Sequence, residues 1–103
     1  KGVAKKILHT NELKEFNKKA KDQSVYLAKK FAFKEAFVKA LGTGFREPYY
    51  LDRVEIIKDK LGKPSVVTHG EAKEEFKNLG ITKAHVSLSD TENYVVAFVV
   101  LET

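Results

Sequence analysis

The 103-residue chain carries 19 Lys and Arg against 14 Asp and Glu, for a net charge of +5, and 43% of its residues are hydrophobic. That length accommodates a single core and that fraction is ordinary for a globular domain, while the lack of any Cys excludes disulfides and thiolate metal sites, so a metal could be held only by oxygen or His ligands. The longest apolar run, Tyr94 to Leu101, is far short of the roughly 20 residues of a membrane helix, no signal-peptide pattern opens the chain, and a cytoplasmic protein without membrane contact is expected.

The positive charge is mostly lysine, since Arg occurs only at positions 46 and 53, and much of it lies early in the chain. Such a surface attracts polyanions without naming one: nucleic acid, a nucleotide cofactor and an acidic protein all fit.

Thr10 or Asn11 can cap a first helix running through Lys21, with Leu13, Phe16 and Ala20 on one face. Ser24 can cap a second, longer helix that ends at Leu41, where Gly42 supplies a left-handed stop. Leu27, Phe31, Phe33, Ala36, Phe37, Val38, Ala40 and Leu41 occupy most of its circumference, which predicts a buried helix. Glu35 and Lys39, four residues apart, interrupt that surface beside the small residues Ala28 and Ala32, leaving space for a ligand.

After a loop from Gly44 to Leu51, strands are expected over 54–58 and 65–68, joined by a turn at Asp59-Lys60-Leu61-Gly62-Lys63, with Pro64 at a strand start. A helix follows over 71–79, with Ala72, Phe76 and Leu79 inward and Gly80 as its stop. A strand over 84–90 turns Val86 and Leu88 inward and His85, Ser87 and Ser89 outward. Thr91-Glu92-Asn93 then turns the chain into an apolar strand over 94–102, expected to be covered on both faces. The order gives one α+β domain in which an antiparallel sheet packs against a long central helix.

Three constellations could carry chemistry. Lys34-Glu35 with Lys39, followed by Gly42-Thr43-Gly44, combine a cation ligand, an ammonium for phosphate oxygens and backbone free to approach a phosphate; Glu35 and Lys39 also make an ordinary helix ion pair, and the glycine a helix stop. Gly62-Lys63-Pro64 could present an ammonium and a rigid ring to a nucleotide, or be a turn alone. His85, Ser87, Ser89 and Asp90 form a polar strand face. His9 and His69 are isolated in sequence and show no metal-ligand spacing.

Taken together, the run Phe31-Ala32-Phe33-Lys34-Glu35-Ala36-Phe37-Val38-Lys39-Ala40-Leu41-Gly42-Thr43-Gly44 resembles the signature of the holo-acyl-carrier-protein synthases, a Lys-Glu-Ala helix ending in Gly-Thr-Gly. The likeness extends to residues 6–12, to Leu61-Gly62-Lys63-Pro64, and to residues 85–90 with Tyr94. It implies the 4′-phosphopantetheinyl transferase fold, a homotrimer with active sites between subunits, and transfer of 4′-phosphopantetheine from coenzyme A to a serine of apo acyl carrier protein in fatty acid biosynthesis. By the same resemblance Glu35 is a magnesium ligand and, with Lys39, catalytic. Lys30, Lys39, Thr43, Gly44, Lys63 and Pro64 then surround coenzyme A. Two departures stand out: Asp90 occupies a position where many members have His, and the family's opening strand with Gly-x-Asp, together with most of the helix after it, does not precede Lys1.

A basic module for nucleic acid is the alternative of another class. It would need Arg-rich contacts or exposed stacking aromatics, whereas most Phe residues here fall in core patterns. A purely structural oligomerisation domain would leave Glu35 and Lys39 without a purpose.

Overall fold

The computed structural model describes residues 2–90 and 94–103, so the turn expected at 91–93 lies outside the described residues. Four helices and four strands follow in the order α1 (Gly2–Ile7), α2 (Thr10–Lys18), α3 (Gln23–Leu41), β1 (Val54–Lys58), β2 (Pro64–Thr68), α4 (Glu71–Asn78), β3 (Lys83–Asp90) and β4 (Val95–Glu102), with a 3-10 turn at Leu51–Arg53. The strands form two antiparallel hairpins, β1 with β2 and β3 with β4, and β2 runs beside β3. The expected α+β class and antiparallel pairing are borne out, and no helix among the described residues is long and apolar enough to cross a membrane.

The start of α2 differs from expectation. Its N-cap is His9, not Thr10 or Asn11: the imidazole accepts from the Asn11 N–H at 3.1 Å, and the Glu12 carboxylate accepts from the His9 N–H at 3.0 Å. This is a capping box in which a ring nitrogen replaces the usual hydroxyl. The helix stops at Lys18, short of Lys21, because the Lys19 N–H turns back to Phe16. Next, α3 is entered through Asp22 in the left-handed region (φ 65°) rather than capped by Ser24, and it ends as expected at Gly42 (φ 81°).

The buried surface of α3 is one stripe, Lys30, Phe33, Lys34, Phe37 and Val38, at the i, i+3, i+4, i+7 and i+8 spacing of an amphipathic helix. Phe31, Val25 and Ala28 face outward, which corrects the expectation of a helix buried all round. Two lysines inside the stripe mask its periodicity. The core has two parts. Phe37, Val38, Tyr49, Val54 and Ala72 form one, flanked by Leu41 and Phe76; Phe33, Ile56 and Val86 form the other.

The strand β4 packs on α3 through Val99 and Leu101. Its opposite face is uncovered within this chain: Val96, Phe98 and Val100 are 47, 66 and 56% exposed, so cover on both faces is not found. Beside them on β3 are Ser89, Ser87 and His85, in register with Val96, Phe98 and Val100, while Val86 and Leu88 turn inward as expected. In α4, Ala72 is buried and Phe76 partly so, but Leu79 is 47% exposed and serves as the C-cap instead of an inner residue.

Candidate functional site

The end of α3 gathers four of the residues singled out from the sequence. Glu35 and Lys39 form an i,i+4 ion pair at 3.7 Å on an open face, their side chains 45 and 74% exposed. Phe31 lies one turn earlier on that face, with its ring 5.9 Å from that of Phe45. Past the helix, the N–H groups of Thr43 and Gly44 both reach back to the Val38 carbonyl, and Gly44 adopts φ 69°. The Thr43 hydroxyl donates to the Gly44 carbonyl at 3.0 Å, and Arg46 Nε donates to the Thr43 carbonyl at 2.6 Å. An accessible carboxylate, an exposed ammonium and a glycine-bearing turn therefore adjoin along a few residues of chain. This is the surface at which an anionic ligand and a hard cation can be met from solvent.

Lys63 and Pro64 lie at the tip of the β1–β2 hairpin. Asp59 builds this turn, its Oδ1 accepting from the N–H groups of Leu61 at 2.9 Å and Lys63 at 2.8 Å. Pro64 is the first residue of β2, paired with Lys58, as its lack of an N–H donor demands. Lys63 is exposed.

Lys30 is placed differently. Nine residues before Lys39, it is about 180° away around α3, and its ammonium is buried, donating to the Ile56 carbonyl at 2.8 Å and 4.0 Å from Glu12 Oε2. Burial pulls its pKa below the usual lysine value, with Glu12 opposing. Lys30 also lines a cavity of about 410 Å³ shared with Lys19, Tyr26, Lys58 and Leu88. Within one chain, then, the sequence-derived residues divide between two faces of α3. Asp90, at the end of β3, pairs with Lys29 at 3.3 Å and so joins that strand to α3.

The buried charge that the sequence reading assigned to Glu35 and Lys39 belongs to their neighbours. Lys34 is fully buried and its three donors are all used, on Glu12 Oε1 (2.5 Å), the Ile7 carbonyl (2.6 Å) and the Leu51 carbonyl (2.9 Å). Glu12 Oε2 accepts the Ile56 N–H at 2.8 Å. This cluster locks α1, α2, the 3-10 turn and β1 around α3 and thereby fixes the direction in which Glu35, the next residue, points.

Sequence spacing also missed a second cluster. His9 and His69 stack with ring centroids 3.9 Å apart, and both face Glu55. Burial holds the His9 imidazole below its ordinary pKa, and His69 acts in the same direction. Only the pairing of β1 with β2 and the His9 cap bring these three residues together.

Comparison with known proteins agrees with this geometry. Residues 1–99 match the model of the ACPS family, the 4′-phosphopantetheinyl transferase superfamily. The chain is 46% identical over 100 residues to a holo-[acyl-carrier-protein] synthase of Dechloromonas aromatica, a match covering 97% of this chain and 78% of the relative. Among solved structures it is similar to the holo-[acyl-carrier-protein] synthase of Neisseria meningitidis, at 42% identity and a TM-score of 0.89, covering all of this chain and 82% of the other. It is also similar to the Bacillus anthracis synthase in complex with CoA (3′,5′-ADP), at 31% identity and a TM-score of 0.79, covering 99% and 81%. An exposed Glu-Lys pair above a Gly-Thr-Gly turn, an α+β frame built on one long helix and a family match spanning nearly every residue converge: the chain belongs to the 4′-phosphopantetheinyl transferase superfamily.

Proposed function

We propose that this protein transfers 4′-phosphopantetheine from coenzyme A to a serine of apo acyl carrier protein. The observation that carries this reading is the accessible Glu35–Lys39 pair standing directly before the Thr43–Gly44 turn, in a chain similar throughout to holo-acyl-carrier-protein synthases. In the reaction the serine Oγ attacks the β-phosphate of coenzyme A and gives up its proton to solvent, the bond from that phosphorus to the bridging oxygen breaks, and 3′,5′-ADP departs with the released electron pair. Lys39 neutralises charge on the pyrophosphate as it redistributes. Thr43 and Gly44 border the phosphates, but their N–H groups are already taken by the Val38 carbonyl and the Thr43 hydroxyl by the Gly44 carbonyl, so a phosphate must displace one of these bonds to use them; Lys63 with Pro64 borders the adenosine.

Glu35 is the proposed magnesium ligand. Its half-exposed carboxylate, whose partner Lys39 is largely exposed, fits one oxygen position of a hard cation. When bound, magnesium supplies charge neutralisation at the transferring phosphoryl group.

Assembly is part of the proposal. Lys30 and Lys39 point to opposite sides of α3, and an active site between subunits of a homotrimer is one arrangement in which both sides can serve a single ligand. The uncovered Val96, Phe98 and Val100 face of β4 supports such an assembly, because apolar strand faces of this kind are usually covered. The rival nucleic-acid reading finds exposed aromatics in Phe31, Phe45 and Phe98, but Phe33 and Phe37 are core residues, Arg46 Nε is engaged by the Thr43 carbonyl, and the family match does not favour it.

The direct test incubates the protein with magnesium, coenzyme A and apo acyl carrier protein and follows the carrier by mass spectrometry. One phosphopantetheine added to one serine, dependent on coenzyme A, is expected. A carrier unchanged in mass with folded enzyme present overturns the reading.

A further inference from the structure

Glu55 is a buried carboxylate, 7% exposed, for which no Lys or Arg among the described residues provides an ion pair. Its neighbours are His69 Nε2 at 2.8 Å, His9 Nδ1 at 3.6 Å and the Asn11 side-chain amide at 3.3 and 3.4 Å. Neither imidazole carries a fixed charge, and an uncompensated charge in such a place is costly. The three side chains come from separate segments. Glu55 is the second residue of β1, His69 follows β2, and His9 caps α2. Register explains the meeting: the His69 N–H bonds to the Arg53 carbonyl, extending the β1–β2 ladder by one pair and setting His69 diagonally across from Glu55 on the same face.

One ligand atom from each of His9, Glu55 and His69 lies within 4.8 Å of the other two. Two imidazole nitrogens and one carboxylate oxygen are a donor set that zinc takes, with water in the fourth position. We propose that His9 Nδ1, Glu55 Oε1 and His69 Nε2 form a binding site for a divalent transition-metal ion of the zinc class, distinct from the face that carries Glu35. Tetrahedral coordination at the usual bond lengths needs donor separations of about 3.3 Å, so the His69–Glu55 contact at 2.8 Å must open, the His9–Glu55 contact at 3.6 Å must close, and the stacked imidazoles must turn out of their near-parallel planes to aim both nitrogens at one ion. Binding through Nδ1 releases the Asn11 N–H, which is exposed and can bond to water. Asn11 already holds the Glu55 carboxylate, the supporting role that ligand carboxylates require. His69 is 34% exposed, which leaves a route for the ion. Magnesium, which prefers an all-oxygen shell, does not suit this site.

The test uses protein stripped of metal by chelation and titrated with cobalt(II) as a spectroscopic probe, then with zinc. A visible absorption band of tetrahedral cobalt, displaced by zinc, is expected, with a rise in Tm of at least about 5 °C at zinc concentrations far above Kd and none with magnesium. In NMR spectra the Asn11 amide should shift. The chain has three His in all, so the origin of the nitrogen ligands can be assigned. The double variant His9→Gln/His69→Gln should lose the band, while His85→Gln, in a pair with Glu102 on the β3–β4 hairpin, should keep it. Wild-type protein showing neither band nor Tm shift overturns the proposal whether or not the variants fold. So does a band that survives the double variant or disappears in His85→Gln.

Discussion

Lys34 on α3 and Glu12 on α2, twenty-two residues apart, meet inside the protein at 2.5 Å, and the ammonium spends its two remaining donors on carbonyls of Ile7 and Leu51. One side chain thus holds three segments to the central helix. Breaking a buried pair from one side leaves the other charge unpaired, at a cost of about 3–5 kcal/mol. Lys34→Met is therefore expected to lower stability by about that amount in urea titration, and Glu12→Gln by a similar amount, because the amide oxygen keeps one acceptor position while its NH2 meets the Ile56 N–H or Lys34, donor against donor. A loss under about 1 kcal/mol for Lys34→Met would show that the cluster is dispensable.

Glu35 and Lys39 should behave in the opposite way. Both are exposed, and an exposed i,i+4 pair contributes only about 0.3–0.5 kcal/mol, so Glu35→Gln and Lys39→Ala should fold with almost unchanged Tm. Phosphopantetheine transfer by Glu35→Gln should fall by at least about tenfold and recover in part at higher magnesium. Lys39→Ala should raise the KM for coenzyme A without magnesium rescue. Unchanged turnover per folded molecule in both variants would remove the pair from the active site.

Much of this frame is legible in the sequence because its elements obey local rules. Val54 to Lys58 is a strand as expected, Gly42 ends α3, and Val86 and Leu88 face inward. What escapes is charge that is buried by remote partners. Lys30 and Lys34 stand beside and within the motif as candidates for a ligand, and nothing local announces that Glu12 and the backbone carbonyls of Ile7, Leu51 and Ile56 will bury and satisfy them. The motif containing Glu35 and Lys39 is visible, but their exposure is not, since hydrophobicity all round a helix does not say which side meets the core. His9 and Glu55 are separated by forty-six positions, and only strand register and a helix cap unite them with His69.

Phe98 separates assembly from folding. Two-thirds exposed in the single chain, it contributes little to the monomer core. Phe98→Glu should shift the mass measured by light scattering from three times 11.6 kDa toward that of one chain, while far-UV circular dichroism stays the same. A wild-type protein that is already monomeric would remove the trimer from the proposal.

Tyr49 offers a test of the core. Its side chain is fully buried against Phe37, and its hydroxyl faces the Glu75 carboxylate, outside ideal hydrogen-bond geometry. Burial, with the charge of nearby Glu75, pushes its pKa up to about 12. With Glu75 beside it but no well-formed hydrogen bond, the hydroxyl gains little from its burial, so Tyr49→Phe should change stability by less than about 1 kcal/mol. A larger loss in denaturant would reveal that the hydroxyl is satisfied, by Glu75 or by water.

The turn built by Asp59 has a thermodynamic consequence for Lys63. Because Oδ1 fixes the N–H groups of both Leu61 and Lys63, the backbone there is ordered before any anion arrives. Binding then restricts little beyond the rotors of the lysine side chain itself, an entropic cost of about 0.5–1.5 kcal/mol. An unbraced loop would add the cost of ordering each backbone residue, about 1–2 kcal/mol apiece. For the proposed coenzyme A contact, a single carboxylate oxygen at the hairpin tip would therefore let Lys63 meet a phosphate at nearly the entropic cost of a lysine fixed on a helix.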